Sequence, residues 1–317
     1  MTAAAILAGS PGSASAAVYK FVVIGKDGWL FPIWDTLHYT NVAGIKTVTG
    51  FVNTAVGILK HAGIDTVVAV TPAKSRIYRD FLPPDQSMAP SVEPRYRMVL
   101  DGLRGSGAVV PDLEALLTNF RKVSADRDLL FFKFDTHWTP VGAAVSATEI
   151  AKQINDKLHL PPSAAPGTKL GMPVTLMNDS GDLSDMLALA DQAKYPPEPY
   201  RVWQATDTDE DMLETDTADV AIVGNSYMHP KWNFAPVLSN QLARPVSLVW
   251  KVHSFGPYST LLSYLNGDVF KKQRPKVLVW EFHEVDLQTL CSDSGIWGQN
   301  AMPEAAFLSN LQKALNV

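Results

Sequence analysis

Six short runs of β-branched and aromatic residues, each nearly continuous in apolar character, limit what this chain can fold into more than any other feature. They are VYKFVVIG (Val18–Gly25), TVVAVT (Thr66–Thr71), LLFFKF (Leu129–Phe134), VAIVG (Val220–Gly224), VSLVW (Val246–Trp250) and KVLVWEF (Lys276–Phe282). A strand with one wet face alternates apolar and polar residues. Runs without that alternation suit strands covered on both faces, as in a parallel sheet flanked by helices. Between them lie segments of helical period: Thr40–Ala62, halted by Gly63; Asp112–Val123, behind Pro111; then Val141–Leu158, Trp232–Leu242 and Tyr258–Lys271. Strand and helix therefore alternate, which argues an α/β fold, an α/β/α sandwich around a mainly parallel sheet. With 317 residues, 46% of them hydrophobic, the chain can bury a core of that size. Two stretches, HLPPSAAPGTKLGMPV and DTDEDMLETDTAD, break the rhythm and read as excursions within one domain, Val18–Val317.

Several function classes drop out. A net charge of −5 with no basic cluster leaves no electrostatic footprint for nucleic acid. The single cysteine, Cys291, excludes an intrachain disulfide and any metal site built on several thiolates. Residues 1–17, MTAAAILAGSPGSASAA, form a signal-like or disordered tail: Ala14–Ser15–Ala16 looks like a cleavage site, but no Lys or Arg precedes Lys20. No later apolar stretch of roughly 18 residues stands out, so no membrane span is expected. Asp207, Asp209 and Asp211 have the D-x-D-x-D spacing of a calcium loop. Met212 stands where such a loop needs glycine and Ala218 near where it needs a carboxylate, so a solvated loop is expected and no metal.

On an open α/β sheet, functional groups gather at the carboxyl ends of the strands. Asp135 and His137 directly follow LLFFKF, and Gly224–Asn225–Ser226–Tyr227 follows VAIVG ahead of a helix. A serine hydroxyl is a weak nucleophile and needs a base; a histidine held in one tautomer by a carboxylate supplies it. Residues two apart in an extended segment point the same way, so Asp135 and His137 can lie side by side. Ser226, on a strand–turn–helix, can present its hydroxyl beside backbone N–H groups able to stabilise an oxyanion. The alternative is structural: His137 near a helix N-terminus, with Asp135 or Thr136 capping the helix behind Pro140. His229 is a rival base close to Ser226 in sequence, and His253 and His283 also follow strand ends.

The segments GKDGWLF (Gly25–Phe31), VAVTPAKSRIYRDFLP (Val68–Pro83), FDTHWTPVGA (Phe134–Ala143), VGNSYM (Val223–Met228) and the VLVWEF strand occur in an order that resembles the alginate O-acetyltransferase family. These are SGNH-hydrolase-like proteins that acetylate bacterial exopolysaccharides. The resemblance spans most of Val18 to Asp286 and has the permuted motif order, D-x-H before the serine. It implies Ser226 as acetyl-accepting nucleophile, His137 as general base and Asp135 as its orienter, with no cofactor. Asn225 departs from the threonine or serine commoner before the nucleophile. It further implies a periplasmic exopolysaccharide O-acetyltransferase acting on an alginate- or cellulose-like acceptor, with acetyl groups delivered by a membrane-bound O-acyltransferase and other biosynthesis proteins as partners. A separate carbohydrate-binding module is not expected after Val317. Two other readings remain, an acetylesterase with the same triad and a non-catalytic polysaccharide-binding component. Trp29, Trp138, Tyr227 and Trp232 are candidate sugar-stacking rings, with core packing as the alternative. Asn225 and Tyr227 are candidates for oxyanion or substrate contacts, and Lys74 for the cleft or the sheet rim.

Overall fold

The computed structural model describes residues 20–124, 128–206 and 218–317. Its strands, in chain order, are β1 (Val22–Ile24), β2 (Leu30–Pro32), β3 (Asp65–Thr71), β4 (Leu170–Asn178), β5 (Glu198–Ala205), β6 (Val220–Gly224), β7 (Val246–Trp250) and β8 (Val277–His283). Four of them form one all-parallel sheet in the order β3-β8-β6-β7. Register explains why these runs are apolar throughout. Val67 and Ile222 both lie opposite Val279, and Val68 and Val223 both lie opposite Trp280. The first set faces one hydrophobic cluster and the second set faces the other. Successive residues thus enter opposite cores, and both faces of β6 and β8 are shut off from water, while the edge strand β7 is partly exposed from Leu248 to Trp250.

The first core is closed by the helices Leu113–Ser124, Pro140–Lys157 and Phe234–Leu242, through residues such as Leu117, Ile150, Ile154 and Leu238. The second is closed by Val42–His61, Arg95–Leu103, Pro257–Asn266 and Glu304–Leu315. This is the expected α/β/α sandwich. Val42–His61 corrects one expectation, because its 20 residues are long and apolar enough to cross a membrane by length and composition. Within this fold it is a core helix: Ile45, Val48, Val52, Ala55, Val56 and Leu59 are buried in the second cluster. Asn41 caps it by accepting from Gly44 N–H, and Gly63 ends it at φ 81°.

Two of the six runs are not strands of the sheet. The first contributes only β1, which pairs antiparallel with β2 in a small hairpin turning through Gly25–Trp29, where Asp27 and Gly28 have positive φ. LLFFKF is not a strand; it makes one antiparallel bridge, Phe131 to Trp138, and folds back on the segment that follows it. Its polar backbone is satisfied by side chains together with scattered backbone bonds, among them Phe132 N–H to His137 O, Thr139 N–H to Leu130 O and Leu30 N–H to Lys133 O. The Glu198 carboxylate accepts from Lys133 N–H (2.7 Å) and Phe134 N–H (2.9 Å), and Tyr78 Oη accepts from Leu130 N–H. An apolar run buried in this way has the composition of a core strand without a ladder partner. The stretch around Leu170, expected to be an irregular excursion, enters the antiparallel pair β4–β5. The acidic run at 207–217, with the D-x-D-x-D spacing, lies outside the described residues, as does the tail at 1–17.

Candidate active site

At the carboxyl end of β6 the chain turns through Asn225 into a short 3-10 turn, Ser226–Met228. A Cβ on Gly224 would collide with Met228 and Glu281, so the turn is packed closely on β8. Asn225 holds the turn in place twice: its N–H donates to the buried Glu281 carboxylate (3.0 Å), and its Oδ1 accepts from Tyr227 N–H (2.9 Å). Met228 N–H donates to Asn225 O. The Ser226 N–H has no protein acceptor among the described residues. Burial first, against hydrogen bonds from Asn225 and Thr71, raises the Glu281 carboxyl to about 7.

The DTHW segment reaches this turn from the other side. Asp135 Oδ1 accepts both from His137 N–H (2.8 Å) and from the His137 Nδ1 side of the ring (2.7 Å). His137 Nε2 lies 2.8 Å from Ser226 Oγ. Burial opposes ionisation of Asp135, but its hydrogen bonds and charge interaction with His137 bring it down to about 2. An ionised Asp135 fixes the proton on Nδ1 and leaves Nε2 as the acceptor for the serine hydroxyl. Helix capping falls elsewhere than expected, because Thr139 is the N-cap of the Pro140 helix and accepts from Gly142 N–H. Asp135 therefore caps nothing there. The structure brings Asp135, His137 and Ser226 into one hydrogen-bonded line, partly open to solvent at His137 and Ser226.

The other expected site residues are placed differently. Lys74 is not in the cleft or on the rim: it is fully buried, and its Nζ donates to Leu30 O (2.5 Å), Lys133 O (2.9 Å) and Asp135 O (2.9 Å). Burial lowers its pKa to about 8, with Glu198 and Asp135 opposing. Trp138 is also fully buried, stacks on Phe234 and donates from Nε1 to Tyr227 O (2.9 Å), so it has no face to offer a sugar. Trp29 is buried against Tyr78 and Phe81. Tyr227 is buried, donates from Oη to Thr136 O (2.9 Å) and stacks on His283. Trp232 packs its ring against the His137 imidazole at 5.1 Å and donates from Nε1 to Ser226 O. In all four cases the aromatic area is spent on positioning the loops, which is the packing alternative. His229 accepts from Lys231 N–H and packs on Trp250; among the described residues no carboxylate holds it. His253 is paired with Asp286 (2.7 Å), which raises its pKa, and buried His283 lies behind Tyr227.

Sequence reasoning placed none of three nearby carboxylates beside the Asp135–His137–Ser226 line. Glu198, on β5, braces the backbone ahead of Asp135, and Glu281 sits under the serine turn. Asp182, on the short helix Asp182–Asp185, reaches the Asp135–His137 pair: its Oδ1 accepts from Thr136 N–H (2.6 Å) and its own N–H donates to Asp135 Oδ2 (3.3 Å). Asp135, His137 and Asp182 also present ligand atoms within 4.8 Å of one another, a grouping that acidic residues adopt without any metal. The His137 Nδ1 side is already engaged by Asp135, an arrangement whose geometry suits proton transfer along the line.

A parallel-sheet sandwich with serine, histidine and aspartate converging at its carboxyl edge has the SGNH-hydrolase architecture, here with D-x-H preceding the serine. A family model described as the SGNH hydrolase-like domain of the acetyltransferase AlgX matches residues 22–284, and the chain belongs to this acetyltransferase family. It is 31% identical over 275 residues to the probable alginate O-acetylase AlgJ of Pseudomonas fluorescens, covering 83% of this chain and 67% of that protein. The AlgJ of Pseudomonas aeruginosa is 28% identical over 278 residues, covering 83% and 69%. Among solved structures, the O-acetyltransferase domain of Pseudomonas putida AlgJ superposes with a TM-score of 0.72 at 27% identity, covering 92% of this chain and 99% of that one. Pseudomonas aeruginosa AlgX, at 21% identity and a TM-score of 0.63, shares the fold.

Proposed function

We propose that this acetyltransferase moves an acetyl group to hydroxyls of a secreted, alginate- or cellulose-like exopolysaccharide through an acetyl-serine intermediate. The observation that carries the reading is the continuous line Ser226 Oγ–His137 Nε2 (2.8 Å) and His137 Nδ1–Asp135 Oδ1 (2.7 Å), set on a fold whose relatives are named for alginate O-acetylation. Ser226 Oγ attacks the acetyl carbonyl as His137 Nε2 takes its proton. The tetrahedral intermediate collapses, the bond to the leaving group breaks, and His137 returns the proton to that group. A sugar hydroxyl then attacks the acetyl-serine, giving its proton to His137 Nε2, and the proton passes back to Ser226 Oγ as the ester leaves. The Ser226 N–H, with no competing acceptor, is positioned to donate to the oxyanion. The D-x-H segment, the serine turn and their support all lie within the domain spanning residues 18–317, which we place in the periplasm, receiving acetyl groups from a membrane-bound O-acyltransferase.

The test is turnover of a chromogenic acetyl ester with and without oligosaccharide acceptors, followed by mass spectrometry of the sugars. Acetylated sugars are expected, and release of acetate with no sugar product would make the protein an esterase. Ser226→Ala should cost roughly 10³-fold or more in turnover while leaving the fold intact. Undiminished turnover in the folded variant would overturn the enzymatic reading.

A further inference from the structure

The most unusual neighbour of the Asp135–His137 pair is the second carboxylate, because a serine–histidine line needs only one. Asp182 arrives from the segment between the Pro140 helix and β5, where Gly181 has no room for a side chain against the Phe134 carbonyl. Two backbone bonds knit the segments together: Thr136 N–H to Asp182 Oδ1, and Asp182 N–H to Asp135 Oδ2. The remaining oxygen, Asp182 Oδ2, stands 3.9 Å from His137 Nδ1. We propose that Asp182 is a positioning residue that acts through His137, its carboxylate stabilising the imidazolium formed when Ser226 attacks. The inference rests on the triad reading above.

The electrostatic setting makes this charge conditional. Burial first, and then the charge of Asp135, hold the Asp182 carboxyl up to about 7, against the lowering influence of His137, Thr136 N–H and Lys74. Buried Tyr227 on the serine turn also interacts with it; Glu198 of β5, whose carboxylate braces Lys133 and Phe134, acts on the neighbouring Lys74 and Asp135, and Asp185 lies on the same short helix. Asp182 therefore changes charge over the pH range in which an imidazole does. Ionised, it favours the protonated imidazole; neutral, it does not. A carboxylate present only to pin Thr136 would do its work through Oδ1 alone, and an amide oxygen would replace it without loss.

Asp182→Asn separates these roles, since it keeps the acceptor for Thr136 N–H and the backbone donor to Asp135 while removing the charge. The full chain is assayed for kcat/KM on a chromogenic acetyl ester across pH 5–9, beside wild type, Asp182→Glu and Ser226→Ala. The expected result is that Asp182→Asn moves the acid limb to lower pH by about half a unit or more and lowers kcat roughly tenfold with little change in KM. Asp182→Glu, which keeps the charge, should hold the limb near its wild-type position. Asp182→Ser, read in the same assay, covers the case in which the amide variant is unstable. A folded Asp182→Asn protein whose profile overlays wild type, with Ser226→Ala inactive, would overturn this inference and leave the triad standing. An active Ser226→Ala would overturn the triad reading and this inference with it.

Discussion

Replacing Asp135 by asparagine is the sharpest probe of the site, because the change is isosteric while the hydrogen bonds are not. One oxygen, Oδ1, serves two donors, His137 N–H at 2.8 Å and the Nδ1 side of the ring at 2.7 Å, and Oδ2 accepts from Asp182 N–H. An amide has a single oxygen. If it takes the Oδ1 position, the NH2 group faces Asp182 N–H, donor against donor. If it takes the Oδ2 position, the NH2 group faces His137 N–H and donates to Nδ1, which places the ring proton on Nε2, where it cannot accept from Ser226. The second arrangement is the wrong tautomer for general-base catalysis, and a loss on the order of 10⁴-fold in kcat is expected. Stability should change far less. The Asp135 carboxyl drops from 3.8 to about 2 on folding, which corresponds to about 2 kcal/mol at neutral pH, or a fall in Tm of about 3 °C for a chain of this size. That contribution is complete above the unfolded pKa and disappears as pH falls through the folded one, so the stability gap between wild type and variant should shrink between about pH 4 and pH 2. Acetyl-ester turnover and thermal melting on the same preparation read both quantities. Turnover within tenfold of wild type in a folded Asp135→Asn protein would refute the role of Asp135 as orienter.

Two further substitutions probe the supports of the site. Lys74→Met leaves the Leu30, Lys133 and Asp135 carbonyls without their ammonium donor, and should cost about 3 kcal/mol or more in urea unfolding while lowering kcat through a loosened Asp135 backbone. Unchanged unfolding midpoint and activity would show that the three bonds contribute nothing net. Glu284, whose carboxylate is shared by Arg76 (2.9 Å) and Arg95 (2.7 Å) at the end of β8, is the anchor of a buried ion network. Glu284→Gln leaves buried guanidinium charge uncompensated and should destabilise by roughly 3–5 kcal/mol. Although burial opposes ionisation of Glu284, its arginines win and bring it to about 2, so the stabilisation is present above about pH 4.5 and is lost as pH falls toward 2. Urea unfolding at pH 7 and pH 3 should show the gap between the proteins narrowing at the lower pH.

Four parallel strands, five of the helices that cover them and the approach of Asp135, His137 and Ser226 to the carboxyl edge were legible from local pattern, because a strand covered on both faces is apolar at nearly every position; the helices Arg95–Leu103 and Glu304–Leu315 were not read. The two-residue spacing of Asp135 and His137 and the strand–turn–helix around Ser226 were legible for the same local reason. What pattern could not separate was a buried strand from a buried loop. LLFFKF has the composition of a strand, and only the folded chain supplies the Glu198 carboxylate, the Tyr78 hydroxyl and the Lys74 ammonium that satisfy its backbone without a ladder. The same blindness affected Trp138, Tyr227 and Lys74, whose types suit a binding cleft but which the fold buries as struts. Asp182 left no local signal, since 47 residues of chain separate it from Asp135. The sequence by itself determined the layers and named the three residues of the Asp135–His137–Ser226 hydrogen-bonded line. Tertiary structure decided their spacing and surrounding charge, because hydrogen-bond geometry and desolvation depend on neighbours that are distant in the chain and adjacent only once it has folded.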